Sequence, residues 1–88
     1  GVVPEVAAWL RSNYPQVRAI GFDFISLTSW PRRETGRTAH RAFLATRPPI
    51  LIIEDMNLIE PFTPEQLRGI LVSPIRVSGA DGAPVTII

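Results

Sequence analysis

The stretch GRTAHRAFLATRPPILIIED (residues 36–55) decides how this chain is organised. Its first half is helical in pattern: Ala39, Ala42 and Phe43 share one face, and Arg37 and Arg41 stand at i and i+4 on a neighbouring one. His40 and Leu44 repeat the i, i+4 spacing, which puts His40 at the border of the apolar face. The pattern predicts a helix over residues 35–46, ended by Pro48 and Pro49. Ile50, Leu51, Ile52 and Ile53 then form a short unbroken apolar run, the signature of a buried strand, and Glu54 follows it directly.

On the N-terminal side, residues 4–14 read as a helix with Pro4 in the first turn, where a missing N–H costs nothing. Val6, Trp9, Leu10 and Asn13/Tyr14 keep helical spacing, and Pro15 stops the helix by pushing Tyr14 out of the α region. Residues 17–25 are β-like with only rough alternation, which predicts a strand covered on both sides. Residues 26–36 are loop in composition. On the C-terminal side, Thr63 as N-cap, Pro64 at the first position and Gln66 reaching back predict a short helix ending by Gly69. Residues 70–77 read as a strand that Pro74 confines to an edge or a bulge, residues 79–84 as a turn, and residues 85–88 as a last strand. The order α, β, α, β, α, β, β is that of a layered, mixed α/β arrangement. The first helix follows no strand, and the chain opens on Gly1-Val2-Val3 and ends within a strand at Ile88. The expectation is a piece of a larger domain.

Eighty-eight residues suffice for a single small domain with a limited core. An apolar content of 45% with 19% charged residues is that of a folded chain. The absence of cysteine removes disulfides and thiolate metal sites. No apolar run reaches the length of a membrane span, and no signal-peptide pattern opens the chain, so a cytoplasmic location is expected. The net charge of +1 comes from nine arginines against eight acids. The arginines are dispersed apart from Arg32–Arg33, and without a clustered cationic face no nucleic-acid partner is expected.

Several residues carry chemistry by type and position. Glu54 stands at the C-terminal end of a predicted strand, where open α/β sheets place ligand sites. Its carboxylate needs a cation, a donor cluster or a metal to stay charged there, and the alternative is an acid that caps a loop or pairs with an arginine. His40, the sole histidine, is the one side chain suited to acid–base work near neutrality; the alternative is a hydrogen-bonded boundary residue. If the helix packs on the strand, His40 and Glu54 converge as one nitrogen and one oxygen donor, which suits zinc or manganese, although two ligands do not hold a metal tightly. Asp23 is a second strand-end acid, read as a loop-ordering acceptor or a partner of the site. Ser26, Thr28 and Ser29 lack nucleophile-elbow glycines, which argues against a serine hydrolase.

Four blocks in order, residues 20–26 (IGFDFIS), 36–44 (GRTAHRAFL), 50–58 (ILIIEDMNL) and 73–87 (SPIRVSGADGAPVTI), resemble the C-terminal part of the cyclase family of metal-dependent hydrolases, which includes kynurenine formamidase and isatin hydrolase activities. The resemblance covers nearly the whole chain from Pro4. It implies the swivelling β/β/α fold, with residues 1–88 as the C-terminal portion of a single domain. It also implies that His40 and Glu54 contribute to a zinc or manganese site, with Asp23 or Arg41 orienting it. By their own place in the loop after the first strand, Trp30 and Phe24 are read as lining a pocket for an aromatic ring or, alternatively, as core packing. The His-to-Glu spacing is slightly longer than the family pattern, through Arg47-Pro48-Pro49. The family's metal motif, His-x-Gly-Thr-His-x-Asp-x-Pro-x-x-His, has no counterpart here. The implied protein is therefore the C-terminal fragment, or a separately encoded half, of an arylformamidase-like hydrolase. It would hydrolyse an amide or cyclic amide with metal-activated water, be inactive alone, and need an N-terminal half that brings the remaining ligands and the catalytic His. Family likeness further implies a homo-oligomer. The competing expectation is a non-catalytic α/β assembly module with no metal site.

Overall fold

A computed structural model describes residues 1–59 and 63–88. Helix α1 spans Glu5–Asn13. Pro4 already has helical angles (φ −58°, ψ −32°), so the chain enters the helix preorganised, and Glu5 places a carboxylate on its positive end. Tyr14, held at φ −135° by the following Pro15, ends it as the sequence predicts. Helix α2 spans Arg33–Leu44 and is preceded by a 3₁₀ turn, Trp30–Arg32. Gly36, Ala39 and Phe43 are its buried stripe, at i, i+3 and i+7.

Between the helices lies strand β1 (Ala19–Gly21), which pairs in parallel with β2 (Leu51–Ile53). The register is Ala19 with Leu51, Ile20 with Ile52 and Gly21 with Ile53. Helix α2 is the crossover of this β–α–β unit, as parallel pairing requires. The ladder continues past the strands through Phe22 N–H to Ile53 O (3.1 Å) and Met56 N–H to Phe22 O (3.0 Å). Asp55 takes a positive φ of 56° where the chain leaves the sheet, a conformation that Asp tolerates.

The core is Ala7, Phe22, Leu27, Ala39, Phe43 and Ile50, with Val6, Leu10, Ile20 and Ile52 packed around it. One side chain joins the helices. The Arg11 guanidinium donates to the carbonyls of Ala42 (2.8 Å), Phe43 (3.0 Å), Thr46 (3.2 Å) and Pro48 (3.2 Å). Those carbonyls belong to the last turn of α2 and the loop after it, where no intrahelical donor exists.

The C-terminal strands β3 (Val72–Pro74) and β4 (Val85–Ile87) form an antiparallel pair, with Val72 opposite Ile87 and Pro74 opposite Val85. Gly79 takes φ 74° in the connection, a left-handed angle that suits glycine.

The mixed α/β class holds, with two helices and two two-stranded sheets among the described residues. Three expectations are corrected. The strand expected over residues 17–25 is confined to Ala19–Gly21 and is covered on one face: Ile20 and Ile52 pack on the core, while Ala19, Gly21 and Leu51 are exposed. Of the apolar run 50–53, Ile50 is buried but Leu51 is 59% exposed, because no described element lies on that side of the sheet. The helix expected after Thr63 is one 3₁₀ turn, Pro64–Gln66. Gln66 does reach back, accepting the Thr63 N–H at 2.7 Å, but Leu67 is exposed and no burial extends the nucleus. Pro74 sits in a two-stranded sheet and so at an edge, as its missing N–H demands. No helix among the described residues is long and apolar enough to cross a membrane.

Candidate functional site

Where the β1–β2 sheet ends, three elements meet: helix α2 with His40, the end of β2 with Glu54, and the loop Ser26–Thr28 between β1 and α2. Helical phase puts His40 one position after the buried Ala39, so its ring lies along the core boundary, half-buried. Glu54 follows the last residue of β2 and is likewise half-buried. The two approach across the crossover, with His40 Nε2 3.6 Å from Glu54 Oε1.

The loop fixes the carboxylate. The Leu27 N–H donates to Glu54 Oε1 at 2.8 Å, and the Ser26 hydroxyl faces the same oxygen at 3.4 Å. Ser26 Oγ also accepts the Thr28 N–H at 3.1 Å, which closes a local turn. Leu27 is fully buried, so the backbone donor it presents is anchored from the core.

The imidazole is fixed from the other side. His40 Nδ1 lies 2.9 Å from the carbonyl oxygen of Gly36, one turn earlier in α2, and 3.3 Å from Thr28 Oγ1. A carbonyl oxygen only accepts, so Nδ1 carries a proton. Nε2, the nitrogen facing Glu54, then presents a lone pair in the neutral ring or a second proton in the cation. A lone pair and a carboxylate oxygen in this relation can share a proton or hold a cation between them.

In separation alone the pair is compatible with two ligands of one ion: two donors each about 2.1 Å from a common ion at near-tetrahedral angles lie roughly 3.4 Å apart. No group of three or more His, Cys, Asp or Glu gathers among the described residues. The same geometry argues against a hydroxyl nucleophile: Nδ1, the nitrogen near Thr28, is a donor to Gly36 and has no lone pair with which to accept the hydroxyl proton.

The other sequence-selected residues lie apart from the pair. Asp23 and Trp30 border a cleft of about 870 Å³ with Phe24, Ser26, Thr28 and Arg33. Trp30 is 81% exposed, with the Arg33 guanidinium 4.3 Å above its ring. Phe24 stacks on Phe22 with centroids 3.9 Å apart. The cleft adjoins the pair through Ser26 and Thr28 alone. Arg41 is exposed on α2 and has no side-chain hydrogen bond to His40 or Glu54. Sequence reasoning missed Ser26, the Leu27 N–H and Gly36 as parts of the site.

No family model, no curated protein and no solved structure matches the chain.

Proposed function

We propose that this chain supplies the C-terminal share of the metal site of a cyclase-type, metal-dependent hydrolase acting on an amide or cyclic amide. The observation that carries the reading is the convergence of His40 Nε2 and Glu54 Oε1 at 3.6 Å, with Nδ1 already engaged elsewhere. His40 and Glu54 are also the residues at which the sequence resemblance expects ligands. They would hold a zinc or manganese ion together with donors from an N-terminal half of the same hydrolase, in a swivelling β/β/α domain. Such an ion, when bound, activates water and polarises the carbonyl under attack. The residues of this chain bind and orient: Glu54 is steadied by Leu27 and Ser26, and His40 by Gly36. The cleft at Asp23, Trp30 and Arg33 is the place next to the pair for an aromatic part of the substrate.

The test is a titration of the chain with Mn²⁺ or Zn²⁺, followed by reconstitution with a segment that carries the histidine-rich motif. Weak binding to the chain alone, abolished in His40→Ala and in Glu54→Ala, is expected. Hydrolysis of an aryl formamide is expected only after reconstitution. Unchanged metal content in both variants of the reconstituted protein would remove the assignment.

A second reading, a non-catalytic assembly module, draws on the β3–β4 hairpin. Leu71, Val72, Ile75, Val77, Val85 and Ile88 are all exposed there, and no other described helix or strand packs against it. A stable oligomer without metal affinity would favour that reading.

A further inference from the structure

Helix α2 carries a glycine in its interior, on its buried stripe, at a cost in helix propensity. The reason lies in its neighbour. A Cβ at Gly36 would overlap Cβ, Oγ1 and Cγ2 of Thr28, so the loop can lie against α2 only where the helix has no side chain. Three further contacts lie beside this approach. Thr28 Oγ1 reaches His40 Nδ1 at 3.3 Å, the Thr28 N–H binds Ser26 Oγ, and the intervening Leu27 N–H binds Glu54 at 2.8 Å. The Gly36 carbonyl meanwhile holds the proton on Nδ1.

We propose that Gly36 and Thr28 form a positioning joint, a glycine-to-loop contact that sets the His40 tautomer and holds Glu54 in front of Nε2. The contact between α2 and the loop thus bears on both donors: the imidazole through Thr28 Oγ1, with Gly36 O holding Nδ1 from within the helix, and the carboxylate through Leu27 and Ser26. Gly36 acts through the pair alone, while Thr28 also borders the cleft. The metal arm of the test rests on the function proposed above. The tautomer arm does not, because it is read without any metal.

The experiment is NMR of the full chain labelled with ¹⁵N at histidine, with Mn²⁺ broadening of the His40 ring as a second readout. In the wild type at a pH where the ring is neutral, Nδ1 is expected to carry the proton and Nε2 to have the shift of a bare nitrogen. Cross-relaxation between the Gly36 α-protons and the Thr28 methyl group is expected as well. Gly36→Ala keeps the main-chain carbonyl that holds the Nδ1 proton, so the tautomer should persist, whereas the Leu27 amide resonance should move and Mn²⁺ binding weaken about tenfold, as loss of a ligand-orienting contact does. Helix propensity alone would predict the opposite, a better-formed α2. Removing the obstructing side chain in Gly36→Ala/Thr28→Gly should return the Leu27 resonance and part of the affinity, a coupling that a general loss of stability would not produce. The proposal is overturned if wild-type Nε2 carries the proton, if the Gly36–Thr28 cross-relaxation is absent, or if Gly36→Ala leaves the Leu27 amide unchanged. If the wild-type tautomer is as expected but Mn²⁺ does not broaden the ring, the metal reading fails and the joint stands.

Discussion

The backbone nitrogen of Leu27 lies 2.8 Å from Oε1 of Glu54, so the most buried residue of the loop between β1 and α2 orders the acid at the end of β2. The carboxylate is thereby part of the fold as well as of the site, and the two roles can be separated by mutation.

Glu54→Ala leaves the Leu27 donor without its acceptor, and a loss of about 1–2 kcal/mol is expected in urea unfolding. Glu54→Gln keeps a carbonyl oxygen for Leu27 but removes the charge. It should lose well under half as much stability while abolishing cation binding, as a Mn²⁺ titration would read. Equal losses of stability in the two variants would detach Leu27 from the acid.

Arg11 tests how the helices are joined. Its four carbonyl contacts need a planar, multiply donating group, so Arg11→Lys preserves charge but not the fork. A destabilisation of about 1–2 kcal/mol is expected for Arg11→Lys, and somewhat more for Arg11→Ala. The urea midpoint measures both, and a neutral Arg11→Lys would show that net charge alone matters.

Phe43 is fully buried on α2 and is the largest such side chain. Phe43→Ala should cost roughly 3–5 kcal/mol, which takes most of the stability of a domain this small. Loss of near-ultraviolet circular dichroism at room temperature is the expected readout, with Phe43→Leu retaining the signal.

The exposed hairpin gives the fourth prediction. Leu71→Lys with Ile75→Lys places charges on a strand pair that no other described element covers, and it should reduce dye binding and self-association in sedimentation experiments. Its effect on unfolding should stay within about 0.5 kcal/mol, since neither side chain is buried.

The places of His40 at a helix boundary and Glu54 at a strand end were legible because each is marked by a local pattern, one by helical phase against Ala39 and Phe43, the other by its position after Ile53. Pro15 and Pro74 were legible for the same local reason, a ring that fixes φ and removes an N–H, whereas α2 starts at Arg33 and ends at Leu44, two residues ahead of the expected span at each end and short of Pro48. The clasp around the pair was not legible. Leu27 contributes a main-chain N–H, which every residue except proline has, and Gly36 contributes a carbonyl and the absence of a side chain. The one-sided cover of Leu51 escaped for a different reason: an apolar run states that burial is favourable but not which faces receive it. The helix expected after Thr63 shows that good capping chemistry starts a turn, whereas continuation needs a packed face that Leu67 does not provide.

Parallel pairing of β1 with β2 also carries a temporal consequence. Ala19 and Leu51 stand far apart in the chain, and the α2 crossover must close the loop between them before the ladder can form. His40 rides on the crossover helix itself and Glu54 follows the strand that the helix leads into. Their meeting requires α2 to lie back along the sheet, and a chain with α1 and α2 formed but the strands unzipped would have secondary structure and no site. The separation of Nε2 from Oε1 is in that sense a gauge of completion, closing only when the topology has.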